Sequence, residues 1–271
     1  MNASTARRRH PAVFAVLLVI GLVAMGTIYA LVAPGRADAG APAVVTATGD
    51  DVTAGKQLFQ ANCASCHGMN GEGRVAADGT SFGPSLVGVG AASVDFQVGT
   101  GRMPLTVPGV QAKRGQPKFD QNQINQMAAY VSTLGPGPGI PDERYSSGEG
   151  ADIARGGEIF RVNCAMCHNF AGSGGALTRG KYAPPLNDIE GKHIYEAMVT
   201  GPQSMPVFSD TNLNPQAKAD VIAFLHELDR NQNYGGHSLG NIGPVGDGYF
   251  LWGLGVPIML GAAVWLARKA A

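Results

Sequence analysis

The sequence has no surplus of positive charge and few cysteines, and both shortages limit what the protein can do. Its 20 basic residues equal its 20 acidic ones, so it lacks the basic footprint that nucleic-acid binding needs. Only four cysteines occur in 271 residues, and all four fall in two short motifs, which leaves none for a structural disulfide. No alternating strand pattern of useful length appears either.

Two segments lack charge altogether and bracket the chain. Residues 12–33 and 249–267 are apolar, and each is long enough to cross a hydrocarbon core of about 30 Å. The sequence predicts a transmembrane helix for both. The alternatives are a cleaved signal peptide for the first, with a candidate cleavage site at Ala37-Asp38-Ala39, and a buried core helix for the second.

Charged residues next to these segments predict the topology. Residues 1–11 contain three arginines and residues 268–271 contain one arginine and one lysine, and neither end contains an acid. The positive-inside tendency therefore predicts that both termini are cytoplasmic and that residues 34–248 lie on the outer side. The predicted location is the cell membrane, with a multi-pass topology and contact with membrane lipid.

The exported part contains an internal repeat. Residues 50–135, the first repeat, and residues 151–230, the second repeat, carry the same motifs in the same order. A Gly- and Pro-rich stretch at 136–150 predicts a linker between them, and a second polar linker is predicted at 231–248.

The two repeats also correspond in their helical patterns. Gly55 returns as Gly157, with one residue fewer before the first cysteine. Each repeat ends with apolar residues at helical spacing, at 123–134 and at 217–228. The predicted fold class is therefore all-α, with two small helical domains joined by long loops.

Each repeat contains Cys-x-x-Cys-His, as CASCH at 63–67 and CAMCH at 164–168. This motif is the attachment signature of c-type haem. Two thiols on one helical turn reach the two vinyl groups of a porphyrin, and the adjacent imidazole binds the iron. The predicted cofactors are two covalently bound haems c, and the candidate cofactor-binding residues are Cys63, Cys66, His67, Cys164, Cys167 and His168.

Two other uses of such thiols are a thioredoxin-like redox pair and a zinc site. A redox pair does not need the histidine, and the chain lacks the βαβ pattern that accompanies one. A zinc site would join both pairs, although they are 101 residues apart in separate repeats. Attached haem is the favoured interpretation.

The sixth iron ligands are predicted from a common spacing. Met103 lies 36 residues after His67, and Met205 lies 37 residues after His168, each followed by proline. These two methionines are the candidate axial ligands, so that the iron-binding residues are His67, Met103, His168 and Met205. The other interpretation of a methionine is a flexible core filler, which we assign to Met69, Met127, Met166 and Met198.

His/Met ligation raises the reduction potential and leaves no open position for oxygen or peroxide, which predicts an electron carrier. His193, His226 and His237 are weaker candidates for axial ligation. Pro84 and Pro184 follow their histidines by 17 and 16 residues. Their carbonyl oxygens could accept the Nδ1 proton of the haem histidine, although a simple turn proline is the alternative.

These motifs give residues 50–230 a resemblance to two class I cytochrome c domains in tandem. With a transmembrane helix at each end, the chain is similar to the dihaem cytochrome c subunit of the actinobacterial cytochrome bc1 complex. That resemblance implies a subunit of a quinol–cytochrome c reductase, itself an electron carrier. It also implies three partners: the cytochrome b subunit, the Rieske iron–sulfur subunit and an aa3-type oxidase that takes the electrons.

Three other functions remain open from the sequence. A dihaem subunit of a cbb3-type oxidase also tethers tandem cytochrome c domains, but that family is anchored near its N-terminus. A dihaem peroxidase needs one haem with an open position, whereas both repeats supply a methionine. An electron-transfer subunit of an exported dehydrogenase would need a catalytic partner.

Overall fold

The structure, a computed structural model, describes residues 11–32, 48–107, 109–230 and 248–270. The chain divides into two units, at residues 40 and 41. The first unit contains one helix, α1 (Pro11–Val32), whose described side chains at 15–27 are exposed. The predicted N-terminal segment is therefore helical where it is described, and the candidate cleavage site lies outside the described residues.

The first repeat consists of four helices and a short antiparallel ribbon. The helices are α2 (Gly49–Asn62), α3 (Ala64–His67), α4 (Gly90–Gly99) and α5 (Gln121–Ser132), and the ribbon pairs β1 (Arg74–Val75) with β2 (Ser81–Gly83). Capping boxes fix the starts of two helices: Thr48 with Asp51 begins α2, and Asp120 with Gln123 begins α5. Because of the second box, α5 begins two residues earlier than the apolar pattern alone predicts.

The predicted apolar face of α5 is the core of the first repeat. Ile124, Met127, Tyr130 and Val131 are all buried, as their helical spacing predicts. Helix α2 packs against this face, with the ring centroids of Phe59 and Tyr130 5.3 Å apart. The two rings bury apolar surface where the helices cross, and their tilted arrangement is a favourable one for aromatic pairs.

The second repeat has the same order of elements, with one additional 3-10 turn, Thr178–Gly180, between its two strands. Its helices are α7 (Ile153–Asn163), α8 (Ala165–His168), α9 (Gly191–Thr200) and α10 (Pro215–Arg230), with a ribbon of β3 (Gly175–Ala176) and β4 (Tyr182–Ala183). The described part of the chain is mostly helical, as predicted, and these ribbons are too short to show in a sequence pattern. On α10, Val221 and Leu225 are buried.

The glycine that matches Gly55 is Gly156, not Gly157 as the sequence comparison predicts. A Cβ on Gly55 would collide with the carbonyl oxygen of Gln126 in α5, and a Cβ on Gly156 would collide with that of Asp220 in α10. Both glycines thus stand where two helix backbones approach most closely. The two repeats therefore have equal spacing from this glycine to the first cysteine, and the predicted one-residue difference is wrong.

We expect Gly55→Ala to lower the melting temperature of the full-length protein by at least about 4 °C, because the added methyl group must force α2 away from α5. Circular dichroism at increasing temperature measures this. Gly49→Ala is the matched control, since it adds the same methyl group to the same helix where nothing lies within 4 Å. Equal melting of the two variants would contradict the close crossing.

The segment at 136–150 is predicted as a linker, and in the structure it packs against both repeats. The backbone N–H of Ala92 in α4 donates to the carbonyl oxygen of Pro138 over 3.1 Å. A one-turn helix, α6 (Glu143–Ser146), contacts α9 and α10, and Ser146 is buried. The connection therefore positions the two repeats relative to each other.

A helix at the C-terminal end follows the second linker, whose residues 231–247 lie outside the described residues. It is helical from residue 248, contains a π-helical turn at Leu251–Gly255, and continues as α11 (Val256–Ala270). Gly248–Lys269 is the one helix of the described chain that is long and apolar enough to cross a membrane. None of that apolar window is buried, which disfavours the alternative of a soluble core helix.

Candidate haem-binding sites

Each Cys-x-x-Cys-His motif forms a single helical turn, α3 or α8, directly after a longer helix. In the first repeat, α2 ends at Asn62, and the N–H groups of Cys66 and His67 donate to the carbonyl oxygen of Cys63 over 3.1 and 2.9 Å. In the second repeat the corresponding bonds to the carbonyl oxygen of Cys164 are 3.1 and 2.9 Å long. The turn brings two thiols and one imidazole together in each repeat, which is the donor set that covalent haem attachment uses.

The thiols do not have the properties of a redox-active pair. All four are free, with Cys66 and Cys167 exposed. Burial, and secondarily the neighbouring cysteine of the same motif, raises the pKa of Cys63 and of Cys164 to about 11. A thioredoxin-like site instead lowers the pKa of its attacking thiol. In the described ranges no cysteine belongs to a cluster of three or more potential metal ligands, which also disfavours the zinc alternative.

The two histidines are oriented by proline carbonyl groups, as their spacing predicts. His67 Nδ1 lies 2.8 Å from the carbonyl oxygen of Pro84, and His168 Nδ1 lies 2.9 Å from that of Pro184. A ring that donates its Nδ1 proton to a carbonyl group keeps the Nε2 lone pair free for a metal. Burial lowers the pKa of His168, although the bond to Pro184 opposes this, so the neutral ligand form is favoured there.

The loop that carries Pro84 approaches the motif so closely that a side chain would not fit. A Cβ on Gly83 would lie 2.7 Å from the carbonyl oxygen of Cys66 and 3.1 Å from Nδ1 of His67. In the second repeat the residue before Pro184 is Ala183, and the close approach is made by the paired strand β3, where a Cβ on Gly175 would lie 2.8 Å from the carbonyl oxygen of Cys167. In both repeats the ribbon therefore packs against the motif.

Each candidate axial methionine packs into the same core as the first cysteine of its motif. Met103 and Cys63 both contact the cluster of Val98, Ile124 and Met127. Met205 and Cys164 likewise contact the core of the second repeat. Each methionine therefore lines the same core as one cysteine of its motif, and both methionines are half-buried. Their binding of iron stays a prediction.

The assignment of the other methionines as core fillers is half correct. Met127 and Met198 are buried, with 1% and 2% of their surface exposed, as predicted. Met69 and Met166 are exposed, the latter by 91%, and the prediction is wrong for them. Met166 lies between the two cysteines of a one-turn helix, where no periodicity indicates which side faces the core.

Exposed apolar side chains lie in the segments that precede or follow each motif and each candidate methionine. They include Val75, Phe82 and Leu105 in the first repeat and Val162, Phe170 and Val207 in the second, each more than 40% exposed. A porphyrin is a large apolar group that would cover such side chains. The donor sets and this apolar surface therefore fit one haem c in each repeat.

Of the other candidate histidines, His193 and His226 lie in the described chain. His193 on α9 faces Asp95 of the first repeat, with 3.9 Å between Nε2 and the carboxylate Oδ2. His226 lies on α10 beside Gly191. His237 lies outside the described residues.

A glutamine of the first repeat braces the proline loop of the second, a contact that no sequence signal predicts. Gln111 Nε2 donates to the carbonyl oxygen of Tyr182 over 2.8 Å, and its Oε1 accepts from the Tyr182 N–H over 2.9 Å. Gln203 makes the same pair of bonds to Ala112, over 2.9 and 3.2 Å. Both loops of the second site are therefore tied to one loop of the first repeat.

We expect Gln111→Ala to destabilise the second repeat by about 1–3 kcal/mol, because two half-buried backbone groups of Tyr182 lose their partner. Amide hydrogen exchange should become faster at Tyr182. Gln116→Ala is the control, because Gln116 is an exposed glutamine of the same loop. Unchanged exchange in Gln111→Ala would show that the brace has no energetic role.

Comparison with known proteins agrees with this geometry. The family described as "Cytochrome c" matches residues 52–135, and the family "Cytochrome C oxidase, cbb3-type, subunit III" matches residues 151–225. A cbb3-type oxidase subunit from Sinorhizobium medicae is 27% identical over 65% of this chain and 60% of its own length. These matches cover haem domains that several electron-transfer proteins share.

Similarity to three curated proteins extends over nearly the whole chain. The cytochrome c subunits of the cytochrome bc1 complex from Corynebacterium efficiens and Mycobacterium leprae are each 41% identical to it. Each alignment covers 94% of this chain and 88% or 87% of the relative. The corresponding protein of Mycobacterium tuberculosis is 43% identical over 94% of this chain and 90% of its own length. The chain therefore belongs to the family of cytochrome c subunits of the cytochrome bc1 complex.

Proposed function

We propose that this chain is a membrane-anchored dihaem cytochrome that carries single electrons within a menaquinol-oxidising bc1 complex. One haem c would be held by Cys63, Cys66, His67 and Met103. The other would be held by the corresponding set in the second repeat, Cys164, Cys167, His168 and Met205. When bound, such a haem supplies a one-electron iron couple whose potential depends on its axial ligands.

The observation that carries the proposal is the duplicated pairing of motif histidine with proline carbonyl. The 2.8 and 2.9 Å contacts hold each imidazole in the Nδ1-protonated tautomer and fix the orientation of its ring. Neutral imidazole is the form that binds iron, and the contact makes it a stronger donor. The chain's own hydrogen bonds thus orient one proximal imidazole in each repeat.

The methionines would supply the second axial ligand. A thioether is a weak, soft donor that favours ferrous iron and raises the reduction potential. Two ligands on each iron leave no position for a substrate, which suits a carrier and disfavours a peroxidase. The chain's contribution would be to orient the ligands and to exclude water from them.

Anchoring at both ends would keep the haem domains beside fixed partners. The helix Gly248–Lys269 has the length and composition for this. Helix α1, in which Ala15–Thr27 is a shorter apolar helix, would be the second anchor. With basic residues outside both helices, the two termini would be cytoplasmic and both repeats would lie on the outer side. A tethered carrier cannot diffuse, so it needs a donor and an acceptor within reach. We propose the Rieske iron–sulfur subunit as donor and an aa3-type oxidase as acceptor, with the cytochrome b subunit as a further neighbour.

Purification of the full-length chain with its associated subunits tests this function. We expect two haems c per chain, a b-type haem spectrum and the paramagnetic signal of a Rieske cluster. The match of the second repeat to a cbb3-type subunit makes that oxidase the second candidate. An associated haem–copper oxidase without a Rieske signal would favour it and contradict the proposal.

A further inference from the structure

The contact between the two repeats encloses a polar cluster that the haem sites do not use. It consists of Asp95 on α4 and of His193 and Glu196 on α9. One nitrogen or oxygen atom from each of the three side chains lies within 4.8 Å of the others. Asp95 and Glu196 have no exposed surface, and the side chain of His193 is 13% exposed. Buried ionisable groups in such a contact require compensation.

Only one of the two carboxyl groups, that of Asp95, has an ion-pair partner and a hydrogen-bond donor. Lys192 Nζ lies 2.8 Å from Oδ2 of Asp95, and Gln121 Nε2 donates to its Oδ1 over 2.7 Å. Glu196 faces Asp95, and across the described chain no hydrogen-bond donor reaches either of its oxygens. Burial, and then the charge of Asp95, raises the pKa of Glu196 to about 10. A proton therefore neutralises Glu196, and a cation bound at the cluster would displace that proton.

The imidazole of His193 has one nitrogen atom available for a metal ion. Its Nε2 is buried without a hydrogen-bond partner within the described ranges, and its Nδ1 lies 3.7 Å from the carboxylate of Glu190. A carboxylate behind the distal nitrogen is the usual support of a metal-binding histidine. His193 and Glu196 are three residues apart on α9 and so share one face of the helix.

We propose that Asp95, His193 and Glu196 form a binding site for a divalent cation of the zinc class, which bridges the two repeats. One imidazole and two carboxylates are a ligand set that Zn²⁺ accepts, at about 2.0–2.2 Å from each donor. Ligands of a tetrahedral site are then about 3.4 Å apart, so the distances between the donor atoms must shorten by up to roughly 1.4 Å when the metal binds. A water molecule would complete the coordination.

Access to this site is open from one side. His193 also lines a cleft of about 540 Å³ between the repeats, together with Gly99, Arg114 and Glu190. Lys192 is the competitor of the metal, because its ammonium group occupies Oδ2 of Asp95. Its side chain is 22% exposed and can turn into solvent when a cation takes its place. The amine therefore sets how tightly the metal is held.

Calorimetric titration of the chelator-treated, haem-loaded, full-length protein with zinc chloride tests the site. We expect one zinc per chain, with affinity reduced at least about tenfold in His193→Gln and in Glu196→Gln. Lys192→Met should bind zinc more tightly than the wild type, a gain that a purely structural role of the cluster would not produce. His226→Gln is the control, because it removes a histidine outside the cluster. Each variant must keep the wild-type haem content and visible spectrum.

Zinc X-ray absorption of the wild-type protein adds a measurement that needs no variant, with nitrogen and oxygen neighbours expected at about 2.0–2.2 Å. Wild-type protein that takes up no zinc would overturn the proposal and leave a proton as the occupant of the cluster. Unchanged affinity in His193→Gln and Glu196→Gln, or no gain in Lys192→Met, would overturn it as well. Sulfur neighbours around the zinc would place the metal at the cysteines instead.

Discussion

Met205→His is expected to lower the reduction potential of one of the two proposed haems by on the order of 0.1 V or more, within the roughly 0.8 V range that axial ligands set. Imidazole is a stronger donor than a thioether and favours ferric iron, so electron transfer to this haem would become less favourable. Redox titration followed by visible absorption measures the shift. Quinol-driven reduction of an oxidase should fall sharply in the same variant.

Met103→His should have the same effect on the other haem and leave the Met205 site unchanged. Met198→Leu is the matched control, since Met198 is 2% exposed in the same core as Met205 and the substitution conserves its volume. Potentials that remain at the wild-type value in both histidine variants would show that neither methionine binds iron. The loss of the sulfur-to-iron absorption band provides an independent reading of the same bond.

Much of each proposed haem site could be predicted because its chemistry is local in sequence. Two cysteines and a histidine on one turn need no tertiary information, and the apolar faces at Ile124 and Val221 follow from helical spacing alone. The proline carbonyls were also predictable, since the same short loop follows the motif in both repeats. Duplication thus supplied an internal comparison for each of these predictions.

The predicted alignment of the two repeats is wrong at the point where the second repeat has two adjacent glycines. Sequence letters do not distinguish Gly156 from Gly157, and only the crossing of α7 over α10 shows which one lies against the carbonyl oxygen of Asp220. The same limit applies to the predicted linker. Glycine and proline indicate an irregular backbone, but they do not show whether that backbone is free or packed against a domain. The segment at 136–150 is packed, because its Pro138 carbonyl oxygen accepts a hydrogen bond from Ala92.

Contacts between the repeats had no sequence signal. Gln111 and Tyr182 are 71 residues apart in the sequence and Asp95 and Lys192 are 97 apart, and none of the four belongs to a motif. Residues at this contact differ between the repeats because each repeat presents a different surface to the other. These differences depend on how the two repeats pack against each other. The motifs that both repeats share therefore do not predict which residues form the contact.

Replacement of both cysteines of one motif should halve the covalently bound haem. In Cys164→Ser with Cys167→Ser, no thioether can form in the second repeat, while the motif at 63–67 is untouched. We expect the haem content per polypeptide to fall from two to one, measured as the pyridine complex after extraction with acidic organic solvent. The remaining haem should stay with the polypeptide on a denaturing gel.

The count of two haems depends on this experiment and its counterpart in the first repeat. Met166→Ala is the control, because it alters the same turn at a side chain that is 91% exposed and leaves both thiols in place. Cys63→Ser with Cys66→Ser should give the same loss of one haem, and the four-cysteine variant should retain none. If either double variant kept the wild-type haem content, the thiols of that repeat would not be attachment sites. Since both motifs form the same hydrogen-bonded turn against the same kind of proline loop, we expect them to behave alike.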